Sequence, residues 1–135
     1  MNREILFKAK RKDWRDLPKE QWWIEGLPTR MWRELYIQDS EDENTAYKID
    51  PDTLCQYTGL TDKNGKKIWE NDICDRKEKY PEIVAYNKGD WQLDYSYAFG
   101  EEMHSNACNL GFYAYERNCV EVIGNIFDNA DLLEV

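Results

Sequence analysis

The chain has 135 residues, 41% hydrophobic, 14% aromatic and 33% charged, and its 18 Lys/Arg against 27 Asp/Glu give a formal net charge of −9. That length suits one domain, six Trp, nine Tyr and four Phe argue against general disorder, and no apolar run approaches the roughly 18 residues of a membrane-spanning helix. The charge is uneven: residues 1–33 hold nine basic and five acidic side chains and residues 34–135 hold nine and 22, so the acidic bulk repels nucleic acid and anionic membranes while the first third is locally basic.

Short segments between turn signals point to β structure rather than a helix bundle. The opening residues lack a signal-peptide core, which implies a cytoplasmic protein whose Cys55, Cys74, Cys108 and Cys119 stay as thiols. Residues 3–10 read as a strand, with Ile5, Phe7 and Ala9 on one face and Lys8 and Lys10 on the other. A polar connection runs to Pro18, and Trp22 to Gly26 again reads as strand. Residues 30–37 fit a helix face or a strand, with strand preferred, and Asp39 to Asn44 form an acidic loop. Pro51 marks a turn within Ile49–Leu54. Gly59 marks a bend, Asn64-Gly65 is a reversal signal because both residues tolerate positive φ, and Asn71-Asp72 suits an Asx turn launching a strand at Ile73. Ile83–Tyr86, a turn over Asn87–Asp90, and Trp91–Tyr95 read as a β-hairpin with Trp91, Leu93 and Tyr95 on one face. Residues 100–111 read as loop, Val120–Ile123 as a last strand, Gly124-Asn125 as a turn, and Asp128 or Asn129 as the cap of a short helix reaching Leu133.

The runs Gln56-Tyr57-Thr58-Gly59-Leu60, Asp62-Lys63-Asn64-Gly65-Lys66, Ile68-Trp69-Glu70-Asn71-Asp72-Ile73 and Val122-Ile123-Gly124-Asn125-Ile126 resemble the YopX family, small proteins typical of phages and prophages of low-GC bacteria. The openings Arg3 to Ala9 and Trp23 to Gly26 resemble it too. The resemblance implies a mainly β fold with short helical turns: an SH3-type small barrel over 56–135, preceded by additional strands over 1–55, in one domain. Asn71 stands where the family often has Gly, a substitution a left-handed turn accepts. The resemblance brings no activity and no catalytic residues.

Chemistry-bearing patterns are sparse. Glu101, Glu102, His104 and Cys108 lie close together, but their spacing fits no zinc pattern and there is no Cys-x-x-Cys. The seven glycines form no phosphate loop, and a Cys–His nucleophile would depend on the single histidine. No cofactor, metal or catalytic centre is therefore expected. The best binding candidate is the cluster Lys8, Lys10, Arg11, Lys12 and Arg15 with Trp14, where cations and a stacking ring suit single-stranded nucleic acid; a strand edge guarded by lysines explains it as well. Acidity and a surplus of aromatics point to a non-catalytic protein-binding module, with self-association as a homo-oligomer expected, over weak nucleic-acid binding through that basic segment or an enzyme of unrecognised type. No membrane partner is expected.

Overall fold

The computed structural model describes residues 4–100 and 107–134. Its eleven strands are β1 (Phe7–Lys10), β2 (Trp23–Met31), β3 (Glu34–Asp39), β4 (Ala46–Lys48), β5 (Cys55–Thr61), β6 (Lys67–Trp69), β7 (Asp72–Asp75), β8 (Glu82–Asn87), β9 (Asp90–Asp94), β10 (Ala107–Asn109) and β11 (Glu121–Asn125). The fold is mainly β, in two antiparallel sheets, and the helical content is limited to short turns such as Trp14–Asp16, Lys19–Gln21 and Pro51–Thr53. None of the described helices is long and apolar enough to cross a membrane. The chain divides into two compact units, Met1–Tyr57 and Thr58–Val135, with the boundary inside β5.

In the first unit the strand order is β4-β3-β2-β1-β5. Strand β1 lies between β2, through Phe7↔Gly26 to Lys10↔Trp23, and β5, through Lys8↔Cys55. It is therefore an interior strand, and the reading of its lysines as edge guards does not hold. The sheet curls until the residue after β4 meets the residue after β1: Ile49 bridges Arg11, and the Lys12 N–H donates to the Lys48 carbonyl at 2.9 Å. Ala9, Ile37 and Ile49 fill the inside, with Phe7, Ile24, Leu35, Tyr47 and Leu54 packed around them. Period-2 alternation thus sends Phe7 and Ala9 inward, as expected from sequence, whereas Ile5, read on the same face, precedes the strand and is 66% exposed.

The segment 30–37 is strand, but not one strand. It is the end of β2, a reversal at Trp32-Arg33, and the start of β3, in the register Met31↔Glu34. Both turn residues have positive φ, 54° and 67°, which is the two-residue turn that matches sheet twist. Trp-Arg is not its usual sequence, so composition did not announce it. Gly26, by contrast, is dictated by space: a Cβ there would lie 1.7 Å from the Gln38 carbonyl oxygen.

In the second unit the sheet order is β10-β9-β8-β7-β11. The hairpin β8–β9 turns at Lys88-Gly89 with Asn87↔Asp90 in register, as read from sequence. Leu110, Ala114, Val120, Ile68, Cys74, Val84 and Leu93 form its core. Strand β10 falls within residues read as loop, and no ladder among the described residues joins β10 to β11, so hydrogen bonding does not close this sheet into a barrel. Strand β11 continues through Gly124, and the chain turns one residue later than expected, where the Asn125 carboxamide oxygen accepts from the N–H groups of Phe127 and Asp128. Asn129 precedes the last helical turn without capping it. Its oxygen instead accepts from the Asn125 N–H.

Candidate functional site

The basic residues singled out in the sequence come together, but around one another's partners. Strand β1 and the two helical turns that follow it bring three indoles around one ammonium. Lys10, 4% exposed, places Nζ 3.9 Å from the ring centre of Trp14, 4.7 Å from that of Trp22 and 5.7 Å from that of Trp23. Trp14 and Trp22 meet edge to face at 4.8 Å, and the Trp22 ring N–H donates to the Leu17 carbonyl. Electron-rich ring faces around a desolvated cation are mutually stabilising. The Lys10 backbone is held as well, its N–H donating to Thr53 Oγ1 at 2.8 Å.

The neighbours are engaged in the same way. Lys8 stands over Trp23 at 4.8 Å and Arg15 over Trp14 at 4.5 Å. Arg11 forms a forked contact to both Asp13 carboxylate oxygens and covers Tyr47, and Lys12 pairs with Glu34 at 3.1 Å. The cluster is thus a cation–indole plug in which much of the positive charge faces aromatic rings and carboxylates of the same chain. Sequence located its members but not their mutual occupation, because Trp22 and Trp23 are brought in by the β1–β2 pairing.

A second buried polar group lies in the other unit. Glu82, 1% exposed, receives Arg76 Nε at 2.6 Å and Nη2 at 3.3 Å. Arg76 also reaches Glu78 and Cys108 Sγ and stacks over Tyr113 at 4.2 Å. Burial pushes the Glu82 carboxyl above its ordinary value, with Arg76 drawing it partly back. Burial likewise raises the Cys108 thiol, so this sulfur lacks the depressed pKa of a nucleophile. Glu101, Glu102 and His104 lie outside the described residues, and among the described residues no group of three or more His, Cys, Asp and Glu is placed to hold a metal ion. All four cysteines are thiols.

The runs that carry the family resemblance are occupied in holding the chain. Asp62, 4% exposed, accepts from the N–H groups of Asn64 and Lys66 and, 60 residues away, Val122, each at 2.9 Å. Burial alone would raise this carboxyl, but the three donors together hold it below its ordinary value. Asp72 reaches back to accept from the Trp69 N–H at 2.8 Å, and Asn71, with φ of 70°, takes the left-handed position.

One surface feature was missed in the sequence. Trp32 is 89% exposed at the apex of the β2–β3 hairpin. Met31 beside it is also exposed, and Arg30 and Arg33 flank it. Large apolar side chains are ordinarily turned inward, and a left-handed backbone at a non-glycine residue costs energy that often coincides with a functional position. A Trp inside a run of alternating residues reads as core, so only the turn geometry identifies it as a tip. Compared with known proteins, the family model described as YopX protein matches residues 7–134, and no curated protein matches the chain.

Proposed function

The chain belongs to the YopX family, and from that premise we propose that it is a non-catalytic protein-binding module, of the accessory kind that phages and prophages encode, which engages its partner through the β2–β3 tip. The observation that carries this reading is Trp32: a tight two-residue turn presents an indole to solvent between Arg30, Met31 and Arg33. Trp, Arg and Met are the residues enriched at the energetic centres of interfaces. A two-residue turn also fixes the backbone from which the indole projects, which reduces the backbone share of the ordering cost of association. Affinity capture from the cells that carry the gene, with the wild-type chain and with Trp32→Ala side by side, tests the reading. The expected result is a partner retained by the wild type and lost by the variant. A set of retained proteins identical for the two would refute it.

For residues 56–135 we propose an SH3-type arrangement. Two features support it: the sheet order places the last strand, β11, beside the first, β7, and a helical turn at Phe112–Glu116 precedes β11. In such an arrangement the second unit would be a scaffold, with binding assigned to the hairpin of the first.

A further inference from the structure

We infer that the partner of the β2–β3 tip is a second copy of this chain, in an antiparallel dimer in which each copy's Trp32 enters a notch at the base of the other's hairpin. This inference rests on the reading of the tip as a binding element and names its occupant.

The hairpin has two chemically opposite ends. At the tip, Trp32 is flanked by Arg30 and Arg33, neither of which has an ion pair among the described residues, while the nearby Glu34 is already engaged by Lys12. At the base, around Gly26↔Asp39, lies an open notch of about 300 Å³. Its apolar walls include Ile5 and Leu27, 66% and 51% exposed, and its polar side is Gln38, Asp39 and Glu43. Glu25 and Glu41 line the adjoining depression together with Asp39. No lysine or arginine among the described residues pairs with Glu25, Asp39, Glu41 or Glu43. An apolar cavity of about 150 Å³ admits benzene, so this notch has room for an indole.

The two ends cannot satisfy each other within one chain. Five residue steps of extended strand run from Gly26 to Met31, a span of roughly 17 Å at the usual rise, and the β2–β3 ladder runs the length of that span. Two hairpins side by side and antiparallel bring both tips to both notches at once, which is the self-complementary geometry of a twofold dimer. The charges are opposite in sign at both contacts: two guanidinium groups against four carboxylates. A polyanion would find the same two cations but would also meet the acidic rim at the other end of the hairpin, and a molecule of net charge −9. A second copy converts that acidity from a repulsive field into the complementary surface.

The test is sedimentation equilibrium on the full chain across a range of concentrations and at two ionic strengths. The wild type should show a dimer mass at high concentration, weaker at high salt because the charged rims are partly screened. Trp32→Ala should weaken the dimer by about 30-fold or more, the effect of losing a central anchor. The decisive experiment is a charge exchange. The variant Arg30→Glu/Arg33→Glu and the variant Glu41→Lys/Glu43→Lys should each be monomeric. Mixed in equal amounts they should regain the dimer mass, because the native basic tip then faces the native acidic rim while the acidic tip meets the two introduced lysines; this recovery also shows that both variants are folded. A wild-type monomer throughout, a dimer indifferent to these changes, or a mixture that stays monomeric overturns the inference. If the wild type is monomeric yet still retains another protein in a Trp32-dependent way, the second-copy inference falls and the binding-module reading stands; if no Trp32-dependent association of any kind is found, both fall.

Discussion

Lys10 shows how a charged side chain becomes a core element. Its ammonium is buried among Trp14, Trp22 and Trp23, so its contribution is to stability rather than to a surface field. Lys10→Met keeps the stem packing and removes only the charge, and it should cost about 1–2 kcal/mol in urea unfolding followed by tryptophan fluorescence, the scale of a desolvated cation–π contact. Asp62 acts at the same scale through three backbone donors. Because its folded-state value is depressed, the stabilisation is fully present above the ordinary aspartate value of 3.8 and is lost as pH falls through the lower folded value. The stability advantage of the wild type over Asp62→Asn should therefore be largest near neutral pH and shrink below pH 3.8; an advantage independent of pH would contradict the assignment. The Asp-x-Asn-Gly spacing was legible as a turn, but the reach to Val122 was not, because a bond across 60 residues leaves no local pattern.

At the scale of elements, the β2–β3 hairpin holds two opposite constraints. Left-handed geometry costs ordinary residues about 1–2 kcal/mol each and glycine very little. Replacing Trp32-Arg33 by Asn-Gly should thus raise stability by about 1–2 kcal/mol in chemical unfolding while abolishing tip-dependent association. A gain in stability with binding intact would remove the tip from consideration. At the other end, Gly26→Ala drives a methyl into the Gln38 carbonyl. It should cost about 3 kcal/mol or more, or prevent folding, as a steric clash between paired backbones does. The β8–β9 hairpin was readable because Lys88-Gly89 and the alternation of Trp91 and Leu93 agree with each other. The turn at Trp32-Arg33 was not, since its residues contradict its geometry.

For the molecule as a whole, charge placement decides what it can bind. The cations of residues 8–15 face rings and carboxylates of the same chain, and the remainder is acidic. Anisotropy titration with duplex DNA near physiological salt should show no tight binding, and any weak binding to single strands should vanish as salt rises. Tight duplex binding would mean that the cation–indole plug opens on contact. Thiol labelling probes the same architecture: Cys108 and Cys119 should react in the folded protein ahead of the buried Cys55 and Cys74, and all four should react once it is unfolded.

From sequence alone came the β class, the kinship of the central runs, most of the turns, and the inward face of β1, because these rest on alternation and on residues whose backbone preferences are local. Tertiary structure alone decided that β1 is an interior strand, that Lys10 is enclosed rather than offered to phosphate, and that Trp32 is a tip rather than core. Each of these depends on which strand lies alongside which. A one-dimensional pattern tells that a residue faces one side of a strand, but what stands on that side is set by pairings across tens of residues.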